Sequence, residues 1–166
     1  MTHDHPQHRS HQREGHAGHA YWQFALNMVL SFIAMYAGMF TMIDGWGDFE
    51  NNLNMGYMAL TMLAAMGIIM LATMPGMFPS RGLNLALYAG LAIVLVGSFV
   101  ATRSQALIDD RQFIASMIPH HSGAILMCRE ANLTDPGLRD LCGRIEAAQR
   151  AEIAEMRVIE ARLRTQ

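Results

Sequence analysis

Three stretches of this chain, 20–43, 55–74 and 83–101, contain no Asp, Glu, His, Lys or Arg. Each comes close to the roughly 20 residues that an α-helix needs to cross a hydrocarbon core of about 30 Å. The buried core of a soluble domain has no need of three such runs in succession, so the pattern predicts three transmembrane helices. Tyr21 and Trp22 at one end of the first run, and Trp46 beyond its other end, fit the aromatic belt of a membrane interface. The overall composition agrees, with 52% hydrophobic and only 16% charged residues. The spans lack the intramembrane charges that mark proton relays and ion-coupled pumps. A net charge of −2 gives no case for nucleic acid as a partner.

The loops set an expected orientation. The N-terminal tail holds Arg9 and Arg13 and the second loop Arg81, whereas the first loop holds Asp44, Asp48 and Glu50 and no basic residue. By the positive-inside rule the tail and second loop are cytoplasmic, in a bacterial inner membrane. Three crossings then place the C-terminal segment in the periplasm. Arg103 and Arg111, just after the third span, count against this orientation.

Residues 1–19 carry His3, His5, His8, His11, His16 and His19 and no apolar run. Such a segment cannot bury a core, and composition predicts a disordered tail. Interspersed histidines bind divalent metals weakly and adaptably. Methionine marks the first two spans. Met28, Met35, Met39 and Met42 share one side of the first, and Met55, Met58, Met62, Met66, Met70, Met74 and Met77 recur every three or four residues from the second onward. Two readings fit these stripes. One is a packing seam, with the two stripes facing each other; the other is a ladder of thioethers that passes Cu(I) through the membrane.

From residue 103 the pattern becomes amphipathic. Asp109 and Asp110 start a helix that runs to about Ala131, bent near Pro119. Asp135 is a plausible N-cap, with Pro136 at the first position of a second helix running to about Arg164. Its inward face reads Cys142, Ile145, Gln149, Glu152, Met156, Ile159 and Leu163. Folded about the turn, Cys128 lies at the depth of Cys142, His121 at that of Gln149, and Met117 near Glu152 and Ile153. Gln149 and Glu152 are then placed to orient imidazoles.

The first of these helices carries the chemistry. Met117, His120 and His121 are spaced i, i+3, i+4, so a thioether and two imidazoles can converge; Met127 and Cys128 follow on the same side. Thioether, imidazole and thiolate together suit a soft ion, above all Cu(I). Two states are open to the cysteines: a Cys128–Cys142 disulfide, favoured by an oxidising compartment, or a reduced Cys128 acting as a ligand beside Met127.

The run D-x-x-F-I-x-x-M-I-P-H-H-x-G-A-I-x-M over 110–127, followed by L-R-x-L over 138–141 and I-x-x-x-Q-x-x-E-I-x-x-M over 145–156, resembles the domain-of-unknown-function 305 family. The resemblance covers residues 109–163. It implies a ferritin-like fold and a periplasmic, copper-binding role, since characterised members of that family include periplasmic copper-binding proteins. Its implied ligands are Met117, His120, His121, Met127 and Met156. Cys128 and Cys142 depart from the family, which usually has small residues there.

The expected architecture is all-α: a tail over 1–19, a transmembrane region over 20–102, and over 103–166 a metal-binding α-hairpin of ferritin-like half-bundle type. Two helices alone bury too little to stand by themselves, so a homodimer through the hairpin is expected, with packing onto the spans as the other solution. The function expected is a non-enzymatic, membrane-anchored copper-binding protein for tolerance or handover to a transfer partner; the alternative is a copper conduit through the methionine stripes. A di-iron oxidase is disfavoured, because no Glu precedes either hairpin histidine by three residues.

Overall fold

The computed structural model of the chain describes residues 7–165, with side chains from Gly18 onward. Among these residues the secondary structure is entirely helical: α1 (Gln7–Gly38), α2 (Leu53–Thr73), α3 (Arg81–Ser104), α4 (Asp110–Glu130) and α5 (Pro136–Leu163), with two short 3-10 turns at Met39–Met42 and Trp46–Asp48. Three segments are long and apolar enough to cross a membrane, Gly18–Met42, Leu53–Thr73 and Arg81–Ser104, of 25, 21 and 24 residues. α1 starts at Gln7, inside the stretch that composition assigns to a disordered tail. A helix already nucleated by the apolar segment extends at the gain of one hydrogen bond per residue, whereas a new one must first form a costly nucleus.

The chain divides into two compact units. One takes the residues up to Met35 and residues 58–101, and the other takes residues 36–57 and 102–166. The first unit is a three-helix assembly centred on Phe24 of α1, Leu71 of α2 and Phe78 of the following loop, with Met28, Met70, Leu87 and Leu91 packed around them. Phe24 and Phe78 meet edge to face at 5.6 Å. At Gly67 all three helices come together: an added Cβ would lie 3.0 Å from Leu91 Cδ1 and 3.1 Å from Met28 Sδ. A hydroxyl pair, Thr61 with Ser98 at 2.8 Å, links α2 to α3.

The methionine stripes are arranged differently from the expectation that they face each other along their length. Met28 and Met70 do share the core, but Met58, Met62 and Met74 of the second stripe are exposed on the outside of the helices. The buried positions of α2 are Ala59, Ala64, Gly67 and Leu71. Small residues let helix backbones approach closely, so they take the seam and these larger methionines turn outward.

The second unit is discontinuous in sequence. α4 and α5 run antiparallel and are joined near their turn by a Cys128–Cys142 disulfide, with Cα atoms 5.2 Å apart. The loop between α1 and α2 lies along α4 as a third layer. After α3, Gln105 and Leu107 adopt left-handed backbone conformations, φ 52° and 59°. Such conformations are costly without glycine. Here they are held by Tyr57, whose hydroxyl donates to the Ala106 carbonyl at 2.9 Å, and by Asn54, whose amide donates to Gln105 Oε1 at 3.0 Å.

Candidate functional site

Local chemistry fixes both ends of the helix pair. The Asp109 carboxylate accepts from the Gln112 N–H at 2.8 Å and starts α4; the Asp135 carboxylate accepts from the Leu138 N–H at 2.8 Å and starts α5, with Pro136 at its first turn. α4 runs unbroken through Pro119 to Glu130. Proline brings no N–H, so the Ala115 carbonyl four residues earlier loses its helical donor. Asn52 Nδ2, from the loop, donates to that carbonyl at 3.2 Å.

The loop is bound to α4 and α5 through charge and through a close backbone approach. Ser122, fully buried, accepts the Asp44 N–H at 2.7 Å and donates to Asp48 Oδ2 at 2.6 Å. Next to it, Gly123 leaves room for the chain, since an added Cβ would lie 3.3 Å from the Met42 carbonyl oxygen. Arg129 pairs with Asp44, and Arg150 approaches the same carboxylate at 3.9 Å. Arg157 pairs with Glu50 and lies 3.7 Å from Asp48. These side chains are partly exposed, so no single pair is worth much alone; together they hold the loop in one register. At the end of α5, a hydrogen bond from Arg164, then its charge and that of Arg157, hold the Glu160 carboxyl below the usual carboxylate range.

These contacts divide α4 into faces. Ser122 and Gly123 turn to the loop and His121 turns to α5. His120 and Met127, seven residues apart and therefore on nearly the same line, are exposed, with Met127 at 58%. Met117 and Met156 are half-buried on α4 and α5. The rings of His120 and His121 are neighbours, 6.0 Å between centroids. His121 Nδ1 lies 3.0 Å from Glu152 Oε2, in an orientation short of a hydrogen bond. Nε2 is thus the nitrogen not turned toward Glu152.

The His121 partner corrects the expected register. Gln149 is half-buried one turn nearer the interhelical turn, and Glu152 is the residue that His121 meets. Helical side chains lean toward the N-terminus of their own helix. In an antiparallel pair the lean carries the His121 ring away from the turn and the Glu152 carboxylate toward it. The tips therefore meet between residues whose Cα atoms are further from the turn than matched depth implies. The Cys128–Cys142 pair is too short to show this offset and forms at the depth expected. Its bond removes Cys128 as a thiolate ligand.

The remaining candidates are not gathered into a cage. Among the described residues no group of three or more His, Cys, Asp and Glu is placed to hold a metal ion. His3 and His5 lie outside the described residues, as do the side chains of His8, His11 and His16; His19 is exposed. The loop residues Asp44, Asp48, Glu50 and Asn52 were not among the site residues expected from the sequence. Two signals for them exist in it: an acidic loop that matches arginines a helical face apart at 150 and 157, and an interior proline whose freed carbonyl demands a donor.

The family model described as Domain of unknown function (DUF305) matches residues 101–160. An uncharacterized protein of Acanthamoeba polyphaga mimivirus is 34% identical over 137 residues, covering 81% of this chain and 88% of that protein. That alignment is longer than the whole stretch from residue 101 onward, so it takes in part of the apolar region too. No solved structure matches the chain.

Proposed function

The chain belongs to the DUF305 family, and from that premise we propose that it is a membrane-anchored, non-enzymatic copper-binding protein that holds Cu(I) through Met117, His120 and His121, with Met127 or Met156 joining. The observation that carries this reading is the i, i+3, i+4 placement of Met117, His120 and His121 on α4, with His121 Nδ1 turned to Glu152. A carboxylate 3.0 Å from one ring nitrogen leaves the other nitrogen turned away from it, toward a ligand. Thioether with imidazole favours Cu(I) over zinc or magnesium. Bound there, the ion would be kept out of free solution, which serves tolerance or handover to a transfer partner.

The α4–α5 pair is read as a ferritin-like half-bundle. The exposed Phe113, Met127, Leu138 and Leu141 leave apolar surface for a second copy, and a homodimer would complete four helices. We place the tail and second loop in the cytoplasm and the loop–α4–α5 unit in the periplasm. Three crossings require the first loop and the C-terminal segment to lie on one side, and their sharing one compact unit supports that requirement. A conduit through the methionine stripes has less support, because Met58, Met62 and Met74 lie on the outer surface.

The test is an anaerobic competition titration of the full chain in detergent with a chromophoric Cu(I) chelator. His120→Ala/His121→Ala should weaken binding at least tenfold, and acidification should weaken binding by the native chain, because a protonated imidazole cannot ligate. Equal affinity in the native chain and the double variant would remove the site.

A further inference from the structure

We propose that Asn52, from the loop outside the family-matched segment, is a positioning residue for the His120–His121 pair; its metal readout rests on the copper reading above. Pro119 directly precedes the two histidines. Its ring takes away the donor of the Ala115 carbonyl and crowds that same carbonyl outward. An unpaired carbonyl at a partly buried position is costly, and the helix would otherwise relieve it by opening to water on this turn.

Asn52 meets that need with no freedom left over. It is 4% exposed. One amide hydrogen goes to the Ala115 carbonyl at 3.2 Å and the other to the Glu50 carbonyl at 2.9 Å. Its Oδ1 accepts the Met55 N–H at 2.9 Å, which caps the first turn of α2. Its own N–H donates to the Tyr36 hydroxyl at 3.3 Å. Rotating the amide by half a turn would set an oxygen against two carbonyls and a nitrogen against an N–H, so the network admits one orientation. The neighbours act in the same direction: the Leu53 N–H donates to Gln112 Oε1 at 2.9 Å, and Asn54 Nδ2 to Ser116 Oγ at 3.3 Å.

The turn of α4 before the proline is thus held at 112, 115 and 116. The turn after it is held at Ser122, and His120 and His121 lie between these two clamps. Which way the two imidazoles leave the helix follows from both. The lower clamp is centred on one side chain that also starts the second apolar helix.

Asn52→Asp separates the two jobs. It keeps an oxygen for the Met55 N–H and replaces by an acceptor the amide that donates to the Ala115 and Glu50 carbonyls, the Glu50 bond being lost alike in both backgrounds below. Pro119→Ala does the reverse, restoring an N–H that bonds the Ala115 carbonyl without help. The full chain is studied in detergent, first metal-free by the imidazole ¹⁵N and ¹H resonances of His120 and His121, then by Cu(I) competition titration. Asn52→Asp should move the imidazole resonances and weaken Cu(I) binding about tenfold, the lower end of what outer partners of metal ligands contribute. In the Pro119→Ala background the same substitution should change neither. Unmoved resonances on Asn52→Asp overturn the proposal whatever copper does, as does an equal shift in both backgrounds. If the native chain takes up no Cu(I) while the resonances move as stated, the copper reading falls and the positioning role stands. Should Asn52→Asp fail to fold alone, the double variant decides: resonances equal to those of Pro119→Ala support the role, and different ones overturn it.

Discussion

Ser122 is the residue on which the loop depends most directly. Its hydroxyl is fully buried and joins a backbone N–H to a carboxylate. Ser122→Ala strands both, and leaving such groups unpaired costs about 1–3 kcal/mol. We therefore expect a loss of about 2 kcal/mol, read as a lower denaturation midpoint, with the helix content of the folded protein unchanged. Ser122 and Gly123 face away from α5 while His121 faces toward it, so the run His-His-Ser-Gly serves two faces of one helix. The sequence shows the histidines because their type announces their chemistry. Serine and glycine announce nothing by themselves, and their role becomes visible only once Asp44, Asp48 and Met42 are seen beside them.

At the scale of helices, the parts that could be read in advance were those decided locally. The N-caps at Asp109 and Asp135, Pro136 after the second cap and the three apolar spans all rest on neighbours within one turn or on length. What could not be read was which way a face points. The methionine period identifies a stripe correctly, but period alone does not say whether the stripe meets a helix or lipid, and Ala59, Ala64 and Gly67 outcompeted it for the seam. The consequence is measurable: Met62→Leu, Met66→Leu and Met70→Leu should each cost under about 1.5 kcal/mol. In vesicles loaded with copper, the triple variant should show unchanged metal movement. The disulfide acts at the same scale. It closes a loop with a sequence separation of 14, and a loop of that size restricts the unfolded chain by about 3 kcal/mol. Cys128→Ser/Cys142→Ser should lose about that much against the oxidised protein, and the native chain should show no free thiol when denatured without reductant.

For the molecule as a whole, the compact unit that carries the Met117–His121 motif is not the C-terminal segment alone, as composition suggests, but that segment plus residues 36–57. A fragment of residues 103–166 by itself would expose the face of α4 that holds Ile118, Ser122 and Ile125, all buried in the chain. It should be less helical or self-associated in circular dichroism and sedimentation, and adding a peptide of residues 36–57 should partly restore it. Acid should loosen the same unit. Glu160 titrates below the ordinary carboxylate range when folded. Its contribution is therefore complete above the unfolded range, near pH 4.3, and is lost as pH falls through the lower folded range. Thermal melts taken from pH 7 down to 3.5 should fall less steeply for Glu160→Gln than for the native chain. A unit assembled from two distant pieces of chain also has a history in time. Asp44, Asp48 and Glu50 leave the ribosome well before Ser122, Arg129, Arg150 and Arg157, by on the order of ten seconds at ordinary rates of translation. Throughout that interval the nascent loop carries three acidic side chains without their arginines, so the unit closes only after the third apolar helix has been made, and a chain stalled before then would present a bare acidic loop.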